Sequence, residues 1–205
     1  MEVLIVGAGN MGRAVATRAL AGGHRVRIAD REPERARAVV EELDGDVAAV
    51  ELDGPGRADV VVLAVPYPAD REIAARWADA LAGTTVVDVT NPVDFSTLDD
   101  LVTPPGTSAA EQVARAAPRA RVVKAFNTTF AGNLAGDRPL DVFIAADDDL
   151  AAAHVATLAA DGGLRPIRVG GLKHARALEA FQLLHMKVQD QIGGRFRTSL
   201  TMQPV

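Results

Sequence analysis

Three glycines near the N-terminus are the residues whose spacing most clearly indicates chemistry. Gly7, Gly9 and Gly12 form the pattern G-x-G-x-x-G directly after the apolar run "EVLIV", and an amphipathic stretch follows them. Glycines at these positions allow a tight turn, a close approach of the main chain to a pyrophosphate, and close packing of helix on strand. The exposed amides at the start of the following helix would face the phosphates. The sequence therefore predicts a dinucleotide cradle.

The residues after the next apolar run bear on which dinucleotide is bound. Asp30 ends the run "RVRIAD", where a carboxylate accepts hydrogen bonds from the adenosine ribose hydroxyls and favours NAD. Against a 2′-phosphate, such a carboxylate would cost on the order of several kcal/mol. Arg31 and Arg35 are two guanidiniums that could offset this repulsion if Asp30 turned aside. The alternative for both arginines is a solvated helix start, so these residues alone leave NAD and NADP open.

Polar groups that follow other apolar runs are candidates for contacts with the reacting rings. Asn91 and Asn127 carry amides that could orient a nicotinamide carboxamide or an acceptor carbonyl, or could simply bond to their own loops. Tyr67 is the sole tyrosine and could donate a proton or stack on a ring, although half-buried packing is the commoner role. Lys124 would be costly in a buried strand unless it were paired, and a buried Lys124 could serve as a proton donor. The alternative, which we favour, is an edge strand where its ammonium reaches water.

No set of side chains in the sequence has the composition of an acid–base or metal site. We assign no catalytic residue, and the spacing of the four histidines predicts no metal site. Hydride transfer between two bound cofactors needs chiefly the proximity and alignment of two flat rings. A good dinucleotide cradle without such apparatus therefore favours that kind of reaction.

Eight short apolar runs alternate with amphipathic stretches and must position these groups. Nearly continuous Val/Ile runs indicate strands buried on both faces, and their alternation with helices predicts an α/β fold, a Rossmann-type, doubly wound, mostly parallel sheet. The predicted strands are 2–7, 25–30, 47–52, 59–65, 85–90, 121–127, 141–146 and 165–170. The predicted helices are 11–22, 33–43, 69–82, 108–117, 148–161 and a long C-terminal helix at about 173–192. Ser108 and Glu111 have the spacing of a capping box.

The length and composition bound the remaining possibilities. The 205 residues predict a single dinucleotide-binding domain, with a core over about 1–170 and a C-terminal helix and tail over about 171–205. A formal charge of −5 argues against a nucleic-acid partner, and the absence of cysteine excludes disulfides and thiolate chemistry. No apolar stretch approaches the ~18 residues of a membrane span. Without a secretory signal at the N-terminus, we expect a cytoplasmic protein.

Six segments together resemble one known family, the F420-dependent NADP oxidoreductases, over nearly the whole chain. The N-terminal segment is shared with many Rossmann families, including pyrroline-5-carboxylate reductases, whereas "VVKAFNT" and "GLRPIRVGGL" are more specific. The segments are "VGAGNMGRAVATRALAGGH", "LAVPYP", "SAAEQVA", "VVKAFNTTFAGNL", "DGGLRPIRVGGL" and "LLHMKVQD".

The resemblance implies roles for the residues that match. Arg31 and Arg35 would bind a 2′-phosphate, but Asp30 departs from the small polar residue expected before that arginine and admits NAD or dual use. The pyrophosphate would be held by Gly7, Gly9, Asn10, Met11 and Gly12. The matched strand ends would place Val65 and Pro66 beside the cofactor, and Phe126, Asn127 and Thr128 beside the second substrate. From their positions after strands, we add Asn91 to the cofactor contacts and Tyr67 to the substrate contacts.

The sequence leaves three functional hypotheses open. The first is an oxidoreductase that moves a hydride between NAD(P)H and a flavin-like coenzyme, which the resemblance implies is F420. The second is an NAD(P)H-dependent reductase of an imine or another small acceptor, and the third is a non-catalytic NAD(P)-sensing module. We expect a homodimer that acts on a small molecule or coenzyme, with neither nucleic acid nor membrane as a partner.

Overall fold

The computed structural model describes residues 1–203, and eight strands in this part of the chain form one sheet. Their order across the sheet is β3-β2-β1-β4-β5-β6-β7-β8. All eight predicted runs are strands, most of them one to three residues shorter than predicted. The strands are β1 (Glu2–Val6), β2 (Arg25–Ala29), β3 (Val47–Ala49), β4 (Val60–Leu63), β5 (Thr85–Asp88), β6 (Arg121–Lys124), β7 (Asp141–Ala146) and β8 (Arg165–Gly170).

The sheet is mostly parallel, as predicted, with one change of direction. Strands β1 to β6 run parallel to one another, whereas β7 pairs with β6 in the antiparallel sense and β8 then runs parallel to β7. The carboxyl ends of β1 to β6 consequently meet at one edge. The order 3-2-1-4-5-6 reverses between β1 and β4, which is where ligands bind in sheets of this kind.

Seven α-helices lie within residues 1–203: six are between strands, and α7 follows β8. They are α1 (Asn10–Ala21), α2 (Pro33–Glu41), α3 (Ala69–Arg76), α4 (Ala109–Ala116), α5 (Ala131–Leu134), α6 (Asp149–Asp161) and α7 (Ala175–Lys187). The capping box is confirmed, because Ser108 Oγ accepts from the Glu111 amide and Glu111 bonds back to the Ser108 amide. The four-residue α5 was not predicted, since one turn is too short to show a period. No helix among residues 1–203 is long and apolar enough to cross a membrane.

The C-terminal helix is shorter than the predicted range of about 173–192. It follows a 3-10 turn, Leu172–His174, and ends at Lys187. The next residues form turns that lead to Gly193, which has a φ of +63°. Leu178 packs on β7, but Phe181 and Leu184 remain exposed. The apolar periodicity therefore predicted the helix but overestimated its length, because part of that apolar face does not pack on the core.

Both faces of the sheet are covered, which explains the continuous apolar runs. In β1, Val3 and Ile5 face one core cluster with α1, while Leu4 and Val6 face the other with α4. All four are essentially inaccessible to solvent. Burial of each such side chain stabilises the fold by roughly 1.5–3 kcal/mol.

Buried Arg18 fixes the connection between α1 and the segment around α5. Its guanidinium donates to the carbonyls of Leu134 and Arg138, both at 2.7 Å, and to Gly162 at 2.9 Å. Three carbonyl acceptors compensate for burying the side chain. This link matters for the site, because the residues that begin α5 form one of its walls.

Candidate active site

A cavity of about 970 Å³ lies along the carboxyl ends of the parallel strands. Its walls come from the ends of β1, β2, β4, β5 and β6, from α5, and from the C-terminal part of the chain. The structure brings most of the predicted site residues to this cavity. They are Gly7, Gly9, Asn10, Met11, Asp30, Arg31, Arg35, Val65, Pro66, Tyr67, Asn91 and Asn127.

Three predicted site residues do not line the cavity. Gly12 is buried in α1, and Phe126 and Thr128 are 1% and 2% exposed. Phe126 adopts a φ of +62° and turns its ring into the core that includes α1 and α6. Sequence position alone could not show this, because a residue at a strand end can point to either face of the sheet.

Two of the three glycines are required by close contacts with the main chain. A Cβ on Gly7, whose φ is +110°, would lie 2.2 Å from the carbonyl oxygen of Ala64, and a Cβ on Gly12 would lie 1.9 Å from that of Gly7. Gly9 lines the cavity, and a Cβ there would meet no protein atom within 4 Å. Gly9 also begins α1 without a side-chain cap, so the first amides of the helix face open space. This cradle fits a pyrophosphate.

The carboxylate of Asp30 is turned towards the main chain of the glycine loop. Asp30 Oδ2 accepts from the Ala8 amide at 2.7 Å, and Oδ1 accepts from the Glu32 amide at 3.0 Å. Its neighbours Arg31 and Arg35 remain 83% and 50% exposed, and each makes only a loose surface ion pair with Glu32. Such pairs are weak, so both guanidiniums are available to an anion.

Two asparagines join the ends of β5 and β6 across the floor of the cavity. Asn91 Nδ2 donates to the carbonyl of Asn127 at 2.8 Å, and Asn127 Nδ2 donates to Asn91 Oδ1 at 2.9 Å. Asn127 Nδ2 is also 3.3 Å from the carbonyl of Leu178 in α7. The Oδ1 atom of Asn127 is buried and has no partner within residues 1–203. A donor such as a carboxamide N–H would satisfy it.

The hydroxyl of Tyr67 is hydrogen-bonded to another side chain of the protein. It donates to Gln112 Oε1 at 3.2 Å, and Arg71 donates to the same oxygen. The ring of Tyr67 still lines the cavity. The geometry therefore favours packing of its ring over proton donation by its hydroxyl.

Lys124 is not at a sheet edge, so the expectation that its ammonium reaches water is wrong. Strand β7 pairs with β6 and encloses Lys124, which is fully buried. Its Nζ lies 2.9 Å from Asp88 Oδ2 and 2.8 Å from Glu179 Oε1, and it also donates to the Thr90 carbonyl. Burial opposes its charge, but the two carboxylates outweigh that effect and raise the pKa of Lys124.

This buried group connects α7 to the strand ends. Glu179 accepts from Lys124 and from the Ala109 amide, and Asp88 Oδ1 accepts from the Thr90 amide. Burial raises the pKa of Glu179, although the ammonium of Lys124 counteracts this. Because Thr90 lines the cavity, the network fixes one wall of the site.

Asp70 is a second buried acid close to the cavity. It lies in the first turn of α3 and is fully buried, and neither carboxyl oxygen has a hydrogen bond of good geometry among the described residues. The Arg71 amide and the Thr90 hydroxyl are nonetheless close enough to act against the rise in its pKa. Burial raises the pKa of Asp70 to about 7, and the nearby charge of Asp88 contributes. An acid in this environment holds its proton near neutral pH. Within residues 1–203, no three His, Asp or Glu side chains are grouped to hold a metal ion.

The C-terminal part of the chain supplies residues that the sequence analysis did not identify. Gln182 and Met186 of α7 line the cavity, and so does Phe196 beyond it. Phe130 at the start of α5 and Phe95 in the loop after β5 complete this side. Phe130 and Met186 lie in quoted segments that gave them no role, and Phe95, Gln182 and Phe196 lie outside those segments. Only the return of the chain over the strand ends brings the five together.

Comparisons with known proteins agree with this geometry. A family model described as NADP oxidoreductase, coenzyme F420-dependent, matches residues 2–92. The F420-dependent NADP reductase of Methanothermobacter thermautotrophicus is 31% identical, over 94% of this chain and 91% of that protein. The chain belongs to the F420-dependent NADP oxidoreductase family. It is therefore an NAD(P)-dependent oxidoreductase.

Other relatives extend this family assignment. The metalloreductase STEAP3 of Rattus norvegicus is 33% identical over 89% of this chain, but the chain spans only 36% of that protein. A solved structure of a candidate F420-dependent NADP reductase from Arthrobacter sp. FB24 is 27% identical, aligns over all of both chains and has a TM-score of 0.81. The reductive aminase of Aspergillus terreus, at 18% identity and a TM-score of 0.68, shows the shared fold alone.

Proposed function

We propose that this protein transfers a hydride between NADPH and a flavin-like coenzyme, the deazaflavin F420. The observation that carries the dinucleotide part is the start of α1, where Gly9, Asn10 and Met11 line the cavity and the helix has no side-chain cap. The family assignment supports F420 as the second coenzyme.

The surroundings of Asp30 support NADP over NAD. Its carboxylate is bonded to two main-chain amides rather than directed outwards, while Arg31 and Arg35 line the cavity and are exposed. A 2′-phosphate bound by two guanidiniums forms charge-assisted hydrogen bonds, which are about twice as strong as neutral ones. The carboxylate that would repel the phosphate is instead used to hold the glycine loop.

The protein's own part in the reaction is to bind the two coenzymes, to orient their rings and to exclude water from between them. The bound nicotinamide would supply or accept the hydride, which requires no nucleophile from the protein. The uncapped amides at the start of α1 would hold the pyrophosphate. Asn91 and Asn127, which line the cavity at the ends of β5 and β6, would orient the carboxamide and so fix which face of the ring points into the cavity.

The region that would receive the acceptor carries no charged side chain and is largely apolar. The charged residues that line the cavity are Asp30, Arg31, Arg35 and Glu72, all in the first 72 residues. The described wall from Val89 to Phe196 has none. Two stacked rings need an apolar, closely fitting enclosure more than they need ionised groups, so this composition suits transfer between flat rings.

We also propose that the protein is a homodimer. Phe181 and Leu184 of α7, and Val188 and Ile192 just beyond its end, are 43%, 60%, 37% and 59% exposed. Exposed large apolar side chains that cluster on a surface are typical of an interface with another protein. Sedimentation of the wild type and of Leu184→Glu tests this, and a wild-type monomer at micromolar concentration would contradict it. A cytoplasmic location remains a prediction from the sequence.

The direct test follows loss of the visible absorbance of oxidised F420 with purified protein, using NADPH in one assay and NADH in another. We expect rapid bleaching with NADPH and slower bleaching with NADH. Tight NADPH binding without bleaching would leave the cradle but remove F420 as the acceptor. Imine reduction and nucleotide sensing would then be the next functions to test.

A further inference from the structure

We propose that Phe196 is a substrate-binding residue whose ring packs on the flat ring of the hydride acceptor, and that residues 193–198 are built to hold it there. We call this segment the C-terminal strap. The inference rests on the proposed function and deepens it, because it identifies the acceptor-binding surface. Neither the glycine motif nor the strand ends point to this residue.

A buried glutamine holds the strap in place. Gln189 is fully buried, and its Oε1 accepts from the Phe196 amide at 3.1 Å and from Thr198 Oγ1 at 3.0 Å. Its Nε2 donates to the His185 carbonyl at 2.7 Å and to Thr198 Oγ1 at 2.8 Å. A buried amide must have its bonds satisfied, and here most of its partners belong to the strap.

The strap approaches this glutamine more closely than a side chain would allow. A Cβ on Gly194 would lie 2.4 Å from Gln189 Oε1. Thr198 makes two further hydrogen bonds. Its hydroxyl lies 2.7 Å from Nε2 of buried His185, and its carbonyl accepts from Asn133 Nδ2 at 2.7 Å. The strap is consequently attached to both α7 and α5.

These bonds present an aromatic ring to the cavity rather than burying it. Phe196 is 45% exposed, lines the cavity, and meets Phe130 edge-on at 5.3 Å between ring centres. Phe130 in turn packs at 4.6 Å on the ring of His185. Phe196 has a φ of +59°, a conformation that bulky residues rarely adopt. A ring that is held firmly and left partly uncovered has an apolar face available for a ligand.

The chemistry around Phe196 defines the class of acceptor. Phe130, Met186 and Gln182 share its wall, and Phe95, which is 70% exposed, also lines the cavity. Aromatic and thioether groups suit a planar, neutral ring system, and the single amide of Gln182 can bond to its polar edge. A deazaflavin ring has this character, whereas a small carboxylic acid would find no cation on this wall.

The test compares Phe196→Ala with Leu150→Ala, which truncates an exposed apolar residue outside the cavity. For F420 reduction by NADPH, we expect Phe196→Ala to raise the apparent KM for F420 about tenfold, which is the loss of one aromatic contact. NADPH affinity, measured by nucleotide fluorescence, should change less than about twofold. Phe196→Tyr keeps the ring and should restore a KM close to the wild-type value.

A second variant tests the strap without removing the ring. Thr198→Val leaves Phe196 intact but deletes the hydroxyl that joins the strap to His185 and Gln189. We expect a smaller rise in the KM for F420, again with unchanged NADPH affinity. Gln189 and Thr198 would then act as positioning residues.

Each outcome decides between the two proposals. One result is that the wild type reduces F420 while Phe196→Ala and Thr198→Val both keep the wild-type KM for F420. That result would overturn the role of the strap and leave the proposed function standing. Failure of the wild type to reduce F420 would overturn the proposed function, and this inference with it. If Phe196→Ala lost affinity for F420 and for NADPH equally, the ring would be shown to stabilise the fold, and its role as an acceptor contact would be overturned.

Discussion

Lys124 Nζ lies 2.8 Å from Oε1 of Glu179, and neither side chain is accessible to solvent. The pair joins a central strand to the C-terminal helix at the edge of the sheet where the cavity lies. Asp88, also fully buried, is a second partner at 2.9 Å. Removing the lysine would leave two carboxyl groups buried without their cation.

Lys124→Met should therefore lower the free energy of unfolding by about 3–5 kcal/mol, the usual cost of breaking a buried ion pair from one side. Urea denaturation measures this. Lys187→Met is the matched control, because Lys187 pairs with Asp99 at the surface and its loss should cost less than about 1 kcal/mol. Equal effects of the two substitutions would contradict the structural role of the buried pair.

Asp70 should make the stability of the protein decline as pH rises through neutrality. Its pKa is raised from 3.8 to about 7 by burial, so the native state holds a proton that the unfolded chain has released. The stabilisation is complete below the unfolded pKa and is lost as pH rises through the folded pKa.

Between pH 5 and pH 8, the unfolding free energy of the wild type should therefore fall more than that of Asp70→Asn, by on the order of 2 kcal/mol. Asp79→Asn, which changes an exposed carboxylate paired with Arg119, should keep the wild-type pH dependence. Parallel stability profiles for the wild type and Asp70→Asn would show that Asp70 is ionised throughout this range.

Gly9→Ala should weaken NADPH binding at least tenfold without destabilising the fold. The added methyl group meets no protein atom within 4 Å, and residue 9 lines the cavity where the pyrophosphate would bind. Calorimetric titration measures the affinity and thermal unfolding measures the stability. Gly132→Ala, where a Cβ also meets nothing within 4 Å but lies outside the cavity, should change neither quantity. Unchanged affinity in Gly9→Ala would argue against a pyrophosphate at this position.

Arg31→Ala should reduce NADPH affinity by about tenfold to a hundredfold and leave NADH affinity nearly unchanged, because only NADPH carries the 2′-phosphate. Arg37→Ala is the control, since this exposed residue pairs with Glu34 on the same helix and does not line the cavity. Equal losses for both nucleotides would mean that Arg31 contributes to the fold or to a shared part of the cofactor.

Asp30→Ser should weaken the binding of NADPH and NADH together rather than shift the preference between them. The carboxylate holds the amides of Ala8 and Glu32, and its loss frees the glycine loop that both cofactors use. The ratio of the two dissociation constants is the decisive measurement. A large shift towards NADPH would show instead that Asp30 contacts the adenosine ribose.

Much of the fold was predictable because its signals are local. The Val/Ile runs that became β1, β4 and β5 are buried on both faces, so they show no polar alternation. The capping box at Ser108 is likewise complete within four residues. The end of α7 was not predictable in this way, because tertiary packing rather than apolar periodicity determines where that helix stops.

The sequence by itself determined the glycine loop, the alternation of strands and helices, and the family. Each depends on residues close together in the chain or on backbone conformations that only glycine adopts readily. Only the tertiary structure decided that Lys124 is paired and buried, that Asp30 faces the glycine loop, and that Phe196 reaches the cavity. These outcomes depend on contacts between segments 22 to more than 50 residues apart, such as those that join Ala8 to Asp30 and Lys124 to Glu179. Such contacts exist only once the sheet and its coverings have assembled.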